Sequence, residues 1–422
     1  MSHPSTLQDW LALLESRHPL AIDLGLERVL AVWQRMGRPR PAARLFTVAG
    51  TNGKGSTTAY IGAMLMALGY RCGTYTSPHL FRYNERIQIQ GKQASDRDLI
   101  SAFAWVEAAL GDLSLSYFEF GTLAAFALLS RAQLDFAILE VGLGGRLDAV
   151  NILDTDCAVI TPIGLDHQDY LGPDLGSIGR EKAGIIRAGK PVICGETDPP
   201  QSLLQIARQL GAPVQRLGHE FNVTGSVSAY CWRQGSRSVH LPQPSMVGLH
   251  QVNNMATAVA AVATLLPGSL DKPDLMAQGL KSVRIAGRLQ RSVECPRVWL
   301  DVGHNEHAAQ AVAAALQDLQ VRPAFCVLGM LRDKDAAAVA AALNEHVRNW
   351  CCAGIEGERG RSGSALARDV IKVSGPQRTR DFLDVKSALQ RALGDSAPDE
   401  SILVFGSFVT VAQASAFLTS NC

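Results

Sequence analysis

Residues 47–58 read Thr47-Val48-Ala49-Gly50-Thr51-Asn52-Gly53-Lys54-Gly55-Ser56-Thr57-Thr58. The stretch follows the apolar pair Leu45–Phe46, which is typical of a buried strand, and it precedes residues 59–68, whose apolar side chains recur at helical spacing. A strand, a glycine-rich turn, a lysine and a helix in this order are typical of a phosphate-binding loop. The glycines let backbone N–H groups point at a phosphate, while the helix N-terminus and Lys54 add positive charge. The stretch therefore predicts a nucleoside triphosphate site.

The spacing within this loop departs from the common pattern, in which a glycine and four residues precede Gly-Lys-Ser/Thr. Here Val48 stands where the first glycine belongs, and Gly55 separates Lys54 from Ser56. A glycine-rich turn with a solvated lysine is the alternative interpretation. We favour phosphate binding because strand, turn and helix all stand where that chemistry requires them. Ser56 or Thr57 then offers a hydroxyl to the phosphates or to their Mg²⁺.

Length and composition limit the classes of protein to which the chain can belong. It has 422 residues, of which 47% are hydrophobic, and a net charge of +1, which predicts an ordinary globular protein of two or three domains. No attraction to nucleic acid or to an anionic membrane follows from that charge. We expect no signal peptide and no membrane span, and we expect a cytoplasmic protein. The nine cysteines are interpreted as buried small hydrophobes rather than as nucleophiles.

Apolar patterns predict an alternation of helices and strands. The predicted helices are 7–32 with a break near Pro19, 96–110, 118–132, 249–265, 306–319, 334–347 and 409–418. The predicted strands are 71–76, 85–90, 135–141, 157–161, 298–302, 324–329 and 401–405, with a mostly β region at 199–244. This order predicts an α/β protein: a P-loop-type, mainly parallel-sheet ATPase domain at 1–284 and a smaller Rossmann-like α/β domain at 285–422.

Three polar residues interrupt these patterns in places where chemistry is expected. Glu140 ends a strongly apolar strand, where a carboxylate is costly unless it is paired or bound to metal, so it is either a Mg²⁺ ligand or part of a salt bridge. Lys182 precedes Ala183 and Gly184 near packed backbone; an ordinary salt bridge is the default, although a lysine with a depressed pKa can react with CO₂ to form a carbamate. Asn254 stands near a helix start, where it can also serve as a cap.

Seven motifs follow one another along the chain, and each is weak by itself. They are Gly50-Thr51-Asn52-Gly53-Lys54-Gly55-Ser56, Ser77-Pro78-His79-Leu80, residues 139–149, Asp166-His167, residues 180–184, Gly287-Arg288, and Asp301 with His304-Asn305. Jointly they resemble the folylpolyglutamate synthases, and most closely the bacterial bifunctional dihydrofolate synthase/folylpolyglutamate synthases of the Mur-ligase superfamily. The resemblance covers nearly the whole chain. One departure is that Gly303 and Glu306 stand where the family often has alanine and proline.

The resemblance implies an ATP-dependent ligase that joins L-glutamate to dihydropteroate, forming dihydrofolate, and adds further glutamates to tetrahydrofolate. The reaction would pass through an acyl phosphate and release ADP and phosphate. ATP, two Mg²⁺ ions and a carbamylated Lys182 are the implied cofactors, and a monomer suffices for the site. Alternatives are a folylpolyglutamate synthase only, a cell-wall Mur-type amino-acid ligase, a nucleotide-dependent regulatory module, and a generic P-loop ATPase. The Mur-type alternative is disfavoured because residues 1–46 are too few for the nucleotide-sugar domain that precedes the loop in those ligases.

The resemblance also implies a role for individual residues. The catalytic residues would be Lys54, Lys182 and His167, and the metal ligands Ser77, Glu140 and His167. ATP would be bound by Thr51, Asn52, Gly53, Lys54, Gly55, Ser56, Asn254, Arg288 and Asp301. The substrates would be bound by Asp23, Leu24, Gly25, Leu26, Tyr117, Phe118, Glu119, Phe120, Leu147, Asp148 and Ala149 on the pterin side, with His304 and Ser407 near the incoming glutamate.

Overall fold

The computed structural model describes residues 4–18, 22–226 and 229–421. The chain forms two compact units. The first comprises the described residues up to Ile163 together with residues 171–244 and 252–283, and the second comprises residues 164–170, 245–251 and those from 284 onward. The predicted division into 1–284 and 285–422 remains a proposal about domains.

An eight-stranded sheet forms the centre of the first unit. Its order is β4-β3-β2-β5-β1-β6-β7-β8; the six strands from β2 to β8 in this order are parallel, and β3 and β4 are antiparallel. Glu140 pairs with Val48, so the end of β5 lies beside the end of β1. The strands are β1 (Ala42–Ala49), β2 (Cys72–Tyr75), β3 (Ile87–Ile89), β4 (Lys92–Gln93), β5 (Leu134–Glu140), β6 (Cys157–Ile160), β7 (Val192–Cys194) and β8 (Val214–Arg216).

Ten α-helices lie in the described part of the chain up to Ser282. The helix α5 is buried along most of its length because its sequence is apolar all round, and it packs with α1, α2 and α4 in one core. The helices are α1 (Leu7–Arg17), α2 (Glu27–Arg35), α3 (Lys54–Ala67), α4 (Asp96–Leu110), α5 (Tyr117–Ser130), α6 (Gln168–Leu171), α7 (Leu175–Ala183), α8 (Gln201–Gln209), α9 (Leu249–Leu265) and α10 (Pro273–Ser282). Short 3-10 turns occupy Tyr83–Arg86, Ala149–Ile152 and Pro267–Asp271.

Two predictions about the first unit can be compared with the structure. The helix predicted at 7–32 with a break near Pro19 is seen as α1 and α2, and residues 22–25 lie outside both; residues 19–21, which include Pro19, are outside the described ranges. The predicted β region at 199–244 begins with α8, and β8 belongs to the main sheet. Only β9 (Asn222–Ser226), β10 (Ala229–Gln234) and β11 (Arg237–Leu241) form a separate antiparallel sheet. Helix α8 was not predicted because its apolar pattern is weak. Only Leu203 and Ala207 are buried in it, and most of its other residues are polar.

The second unit contains a six-stranded sheet of order β12-β13-β17-β14-β15-β16, parallel except for β12. Its strands are β12 (Gln290–Arg291), β13 (Val298–Leu300), β14 (Phe325–Leu328), β15 (Asn349–Ala353), β16 (Thr379–Phe382) and β17 (Ile402–Phe405). Its helices are α11 (Glu306–Asp318), α12 (Ala336–Leu343), α13 (Gly363–Ser374), α14 (Val385–Asp395) and α15 (Phe408–Asn421). The predicted fold class, a P-loop-type parallel-sheet domain followed by a Rossmann-like α/β domain, is confirmed.

Within the described ranges, no helix combines the length and apolar character that a bilayer crossing requires. The eight cysteines of those ranges are free thiols, and six of them are buried. Burial raises the pKa of the Cys351 and Cys352 thiols to about 12, so both remain protonated at neutral pH. These cysteines therefore contribute to packing as small hydrophobic side chains.

Candidate functional site

The loop between β1 and α3 is built on two glycines that its neighbours require. Gly50 has φ +152°, and a Cβ there would lie 1.8 Å from Thr161 Oγ1. Gly53 has φ +86°, and a Cβ there would lie 2.4 Å from Asn254 Oδ1. Both positions exclude a side chain by contact, and both backbone conformations are ones that glycine adopts most readily. The loop can therefore present backbone N–H groups where any other residue would block them.

The helix after the loop begins at Lys54, five residues earlier than the predicted start at Ala59. The first N–H groups of α3, with their partial positive charge, therefore open directly from the glycine turn. Next in the helix are three hydroxyls, of Ser56, Thr57 and Thr58, that are enclosed and have no hydrogen-bond partner among the described residues. A buried polar group without a partner costs about 1–3 kcal/mol. A ligand that accepts or donates at Ser56 would remove that cost.

Two lysines converge on a single carbonyl oxygen of the loop. Lys54 Nζ donates to Gly50 O at 3.0 Å and to Thr51 O at 3.1 Å. Lys182 Nζ, from the last turn of α7, donates to the same Gly50 O at 2.8 Å and is only 3% exposed. The two side chains therefore meet at the loop, where the charge of Lys54 suits a polyanionic ligand.

Close backbone packing fixes the position of Lys182. Arg146 N–H donates to Glu181 O at 2.8 Å. A Cβ at Gly145 would lie 2.8 Å from Glu181 O, and a Cβ at Gly184 would lie 2.4 Å from Arg146 Cα. The loop after β5 therefore packs directly against the end of α7, and the glycines make that approach possible.

Glu140 and Ser77, two of the predicted metal ligands, lie together in the first unit. Glu140 is the last residue of β5 and is 4% exposed, and its Oε2 accepts a hydrogen bond from Ser77 N–H at 3.2 Å. The described residues contain no cluster of three or more His, Cys, Asp or Glu side chains arranged to hold a metal. The third predicted ligand, His167, belongs to the second unit.

An unpredicted arginine joins two of the residues predicted on the pterin side. Arg28 forms ion pairs with Asp23 at 2.9 Å and with Glu119 at 2.9 Å. His18 Nε2 lies 3.1 Å from Asp23 Oδ2, and Glu119, which is 3% exposed, also accepts Ser116 N–H at 2.7 Å. Arg28 therefore fixes the segment before α2 to the start of α5. Leu24, Gly25 and Leu26 in that segment are half-buried.

The four residues predicted at the start of α5 divide into two kinds. Tyr117 and Phe118 are half-buried, and the Phe118 ring stacks on Tyr75 with 6.2 Å between centroids. Phe120 is fully buried, and its ring packs against Trp10 and Phe103. Phe120 therefore belongs to the hydrophobic core, and Glu119 caps the start of the helix. Only Tyr117 and Phe118 of these four residues remain accessible to a ligand.

Asp148 organises the loop that follows β5. Its carboxylate accepts Leu143 N–H and Val150 N–H, each at 2.9 Å. Burial raises the pKa of Asp148 to about 6, although these amides and the charge of Lys54 act in the opposite direction. Leu147 beside it is half-buried and Ala149 is buried.

Asp166 is the centre of a polar cluster in the second unit. It forms an ion pair with Lys334, accepts Asn305 Nδ2 at 3.1 Å, and lies 3.5 Å from His304 Nε2. These partners hold the pKa of Asp166 well below its usual range even though burial opposes them. Two members of this cluster had no predicted role: Lys334 was not singled out, and Asn305 appeared only within a family motif. Lys334 follows the end of β14 and Asn305 caps α11, so the rule that ligands lie at the carboxyl ends of parallel strands could have identified both.

His167 adjoins this cluster and is neutral at neutral pH. Burial lowers its pKa to about 4. Its Nε2 lies 3.3 Å from Lys334 Nζ and accepts a hydrogen bond from it, since an ammonium group can only donate. A neutral imidazole is the form that binds metals. His167 also has φ +52°, an uncommon conformation for this residue type.

The remaining predicted residues of the second unit make local contacts. Asp301 accepts Leu289 N–H at 2.8 Å and Gly303 N–H at 2.7 Å, and burial raises its pKa. Arg288 lies over the Phe408 ring, and the Ser407 hydroxyl accepts Thr410 N–H at 3.0 Å.

Gly303 departs from the family pattern for a steric reason. A Cβ at Gly303 would lie 2.7 Å from the ring of Phe405.

The suggestion that Asn254 caps a helix is wrong. Helix α9 begins at Leu249, so Asn254 lies in its second turn, and it is 3% exposed. Its amide oxygen approaches Gly53 instead. The structure thus places a residue predicted to bind ATP directly against the phosphate-loop glycine.

Comparisons with known proteins agree with this arrangement. Residues 48–262 match the Mur ligase middle domain, and residues 287–408 match the Mur ligase glutamate ligase domain. The chain is 45% identical to the dihydrofolate synthase/folylpolyglutamate synthase of Escherichia coli (strain K12), over 97% of this chain and 94% of that protein.

Solved structures agree as well. The structure of E. coli FolC in complex with DHPP and ADP matches with a TM-score of 0.91 and 42% identity, over 99% of this chain and 98% of that one. A bifunctional folylpolyglutamate synthase/dihydrofolate synthase with Mn, AMPPNP and L-glutamate bound matches with a TM-score of 0.88 and 43% identity, over 98% of both chains. With both Mur ligase domains present and these relatives matched over nearly their full length, the chain belongs to the dihydrofolate synthase/folylpolyglutamate synthase family of Mur ligases.

Proposed function

We propose that this chain is an ATP-dependent ligase that joins L-glutamate to dihydropteroate and adds further glutamates to tetrahydrofolate. The observation that carries this proposal is the contact of the Lys54 ammonium with Gly50 O in a glycine turn whose following helix holds the Ser56 hydroxyl, which has no partner among the described residues. Positive charge and an orphaned hydroxyl at a glycine turn suit the phosphates of a nucleotide. Membership of the family is the reason for proposing L-glutamate and a pterin acid as the other two substrates.

The chemistry requires the acid to be activated before the amine attacks. A carboxylate cannot release an oxide ion, so its oxygen first attacks the γ-phosphorus of ATP, and the bond from that phosphorus to the β,γ-bridging oxygen breaks. The products are an acyl phosphate and ADP. The glutamate amine then attacks the acyl carbon, loses a proton, and the tetrahedral intermediate expels phosphate. Lys54 and the loop amides counter the repulsion between the acid and the triphosphate.

The residues around the loop fit a divalent cation. Glu140 provides a buried carboxylate at a strand end, beside Ser77, and Ser56 provides an enclosed hydroxyl without a partner. Oxygen ligands of this kind, completed by water and phosphate oxygens, suit Mg²⁺. The resemblance to the family implies that His167 is a further metal ligand and that two Mg²⁺ ions bind. A bound Mg²⁺ supplies charge neutralisation and orientation of the triphosphate.

We propose that Lys182, which is buried and contacts Gly50 O, is carbamylated. In that reaction a neutral amine adds CO₂ and releases a proton, which leaves an anionic carbamate. The carbamate retains one N–H, so the hydrogen bond to Gly50 O can persist. An anionic oxygen in this position would attract a cation that an ammonium group repels.

The other predicted residues divide by substrate. For the nucleotide we propose Thr51, Asn52, Gly53 and Gly55 of the loop, together with Asn254, Arg288 and Asp301. For the pterin acid we propose the residues that surround Arg28 and the half-buried rings of Tyr117 and Phe118, and for glutamate His304 and Ser407. A single chain supplies all of these residues, and small molecules in the cytoplasm are its proposed partners.

One assay tests the function directly. Purified protein receives ATP, Mg²⁺ and labelled L-glutamate with either dihydropteroate or tetrahydrofolate, and both ADP and the new amide are measured. We expect glutamate-dependent ADP release and an amide with each pterin. An amide with tetrahydrofolate alone would restrict the chain to folylpolyglutamate synthesis. ADP release without glutamate and without an amide would refute the ligase function.

A further inference from the structure

One buried arginine of the first unit has no carboxylate partner among the described residues. Arg86 ends the 3-10 turn at residues 83–86 and is 8% exposed. Its Nε donates to His79 Nδ1 at 2.9 Å, and its guanidinium lies over the rings of Tyr83, at 5.0 Å, and Tyr117, at 5.5 Å. Among the residues that the structure describes, no Asp or Glu forms an ion pair with Arg86.

The groups that face Arg86 leave its charge uncompensated. His79 accepts the Arg86 N–H through Nδ1, so this contact brings no negative charge to Arg86. Burial raises the pKa of Tyr83 and of Tyr117, so both phenols remain protonated. The neighbouring Glu85 uses its carboxylate to accept backbone N–H groups of residues 80–82, at 2.7–2.8 Å. A buried charge without a compensating partner is costly, so its retention calls for an explanation.

Three half-buried arginines differ from Arg86 in this respect. Arg28 is paired with two carboxylates, Arg17 with Glu107, and Arg361 with Asp369. The two terminal nitrogens of Arg86 take part in no hydrogen bond of the described residues, and neither is fully enclosed. Neither nitrogen is therefore completely closed off from a ligand.

The location of Arg86 links two parts of the proposed site. Its partner His79 is two residues beyond Ser77, which bonds to Glu140. Its partner Tyr117 begins α5 beside Phe118. An anion bound at Arg86 would thus lie between the segment with the candidate metal ligands and the aromatic side chains offered to the pterin. A pterin acid has this form, with an aromatic body that ends in a carboxylate.

We propose that the guanidinium of Arg86 binds the carboxylate of the pterin acid through its terminal nitrogens. The inference rests on the proposed function and deepens it, since it assigns the group that receives the acid before activation. A guanidinium presents two parallel donors to a carboxylate, which gives a strong and oriented contact. The rings of Tyr83 and Tyr117, whose centroids lie 5.0 Å and 5.5 Å from the guanidinium carbon, attract this cation and help to hold it in place.

The test compares two probes, dihydropteroate and its decarboxylated analogue, in the presence of AMPPNP and Mg²⁺. The wild-type protein should bind the acid more tightly than the analogue by on the order of tenfold to a hundredfold. Arg86→Gln should remove this preference and leave the affinity for the analogue unchanged. The matched control is Arg44→Gln, because Arg44 also lies over an aromatic ring, that of Phe136, but is exposed. That variant should retain the full preference.

A purely structural role for Arg86 predicts a different result. Arg86→Gln would then weaken both probes equally, and this outcome overturns the proposal. If the Gln variant fails to fold, Arg86→Lys provides the test, since lysine replaces the two parallel donors of arginine with a point charge. The preference for the acid over the analogue should then fall about threefold or more. An unchanged preference overturns the proposal. If the wild type makes dihydrofolate yet binds both probes equally, the Arg86 proposal fails and the ligase function stands. If it makes no amide, both fail.

Discussion

At the scale of single residues, the hydrogen bonds of Lys54 to the loop carbonyls place its charge beside the proposed triphosphate. Lys54→Ala should lower the turnover number by at least about a hundredfold, because the charge acts on the phosphoryl group in the transition state. Steady-state kinetics with saturating ATP measure this. Lys92→Ala, on the exposed edge strand β4, is the control and should match the wild type. A raised KM for ATP with turnover intact would contradict the role given to Lys54.

Lys182 makes a second prediction at this scale, and it concerns the carbamate. Lys182→Ala should reduce turnover strongly while circular dichroism and the melting temperature stay close to those of the wild type, because the close approach of Gly145 to residues 181 and 182 involves their backbone atoms and not the Lys182 side chain. Isotopically labelled bicarbonate should give a carbamate signal in the wild type that is missing in the variant. Wild-type activity in Lys182→Ala would remove the carbamate from the mechanism.

At the scale of elements, the turn from β1 into α3 depends on glycine for two separable reasons. Gly53 and Gly69 have nearly the same backbone angle, φ +86° and +89°, but only Gly53 faces a neighbour, Asn254. Alanine at either position should lower the free energy of unfolding by roughly 1–2 kcal/mol through backbone strain. Gly53→Ala should in addition raise the KM for ATP, since its Cβ displaces the Asn254 amide. Denaturant unfolding and ATP kinetics on both variants test this, and equal kinetics would contradict the proposed contact.

At the scale of the whole molecule, three partly or largely buried histidines make stability depend on pH. Burial lowers the pKa of His79, His167 and His250 to about 4, whereas the unfolded value is about 6.5. Between these values the unfolded chain binds more protons, so the stabilisation is fully present above about pH 6.5 and is lost as the pH falls towards 4. The melting temperature should therefore fall across this window. His79→Gln should show a smaller fall than the wild type, and an equal fall would exclude a contribution from His79.

The alternation of elements was largely predictable because buried strands and amphipathic helices have distinct periods. The bounds predicted for α4 and α9 are those observed, and α5 differs by one or two residues at its ends. Residues 349–395, which form β15, α13, β16 and α14, received no prediction, because polar residues interrupt their apolar pattern. Arg28, Arg86 and Lys334 were missed for another reason. A lone arginine or lysine in a sequence is most often solvated, and only its burial reveals a specific role.

The sequence by itself determined the glycine loop, its lysine and helix, the α/β class and the family, since these depend on local spacing and on the order of motifs. The tertiary structure alone decided that Lys54 and Lys182 meet on one carbonyl, that Phe120 belongs to the core rather than to a surface, and that Arg86 is buried with no carboxylate partner among the described residues. The physical reason is that burial, charge compensation and close backbone approach arise between segments far apart in the chain. Local patterns record what a segment prefers, whereas its partners are set by packing.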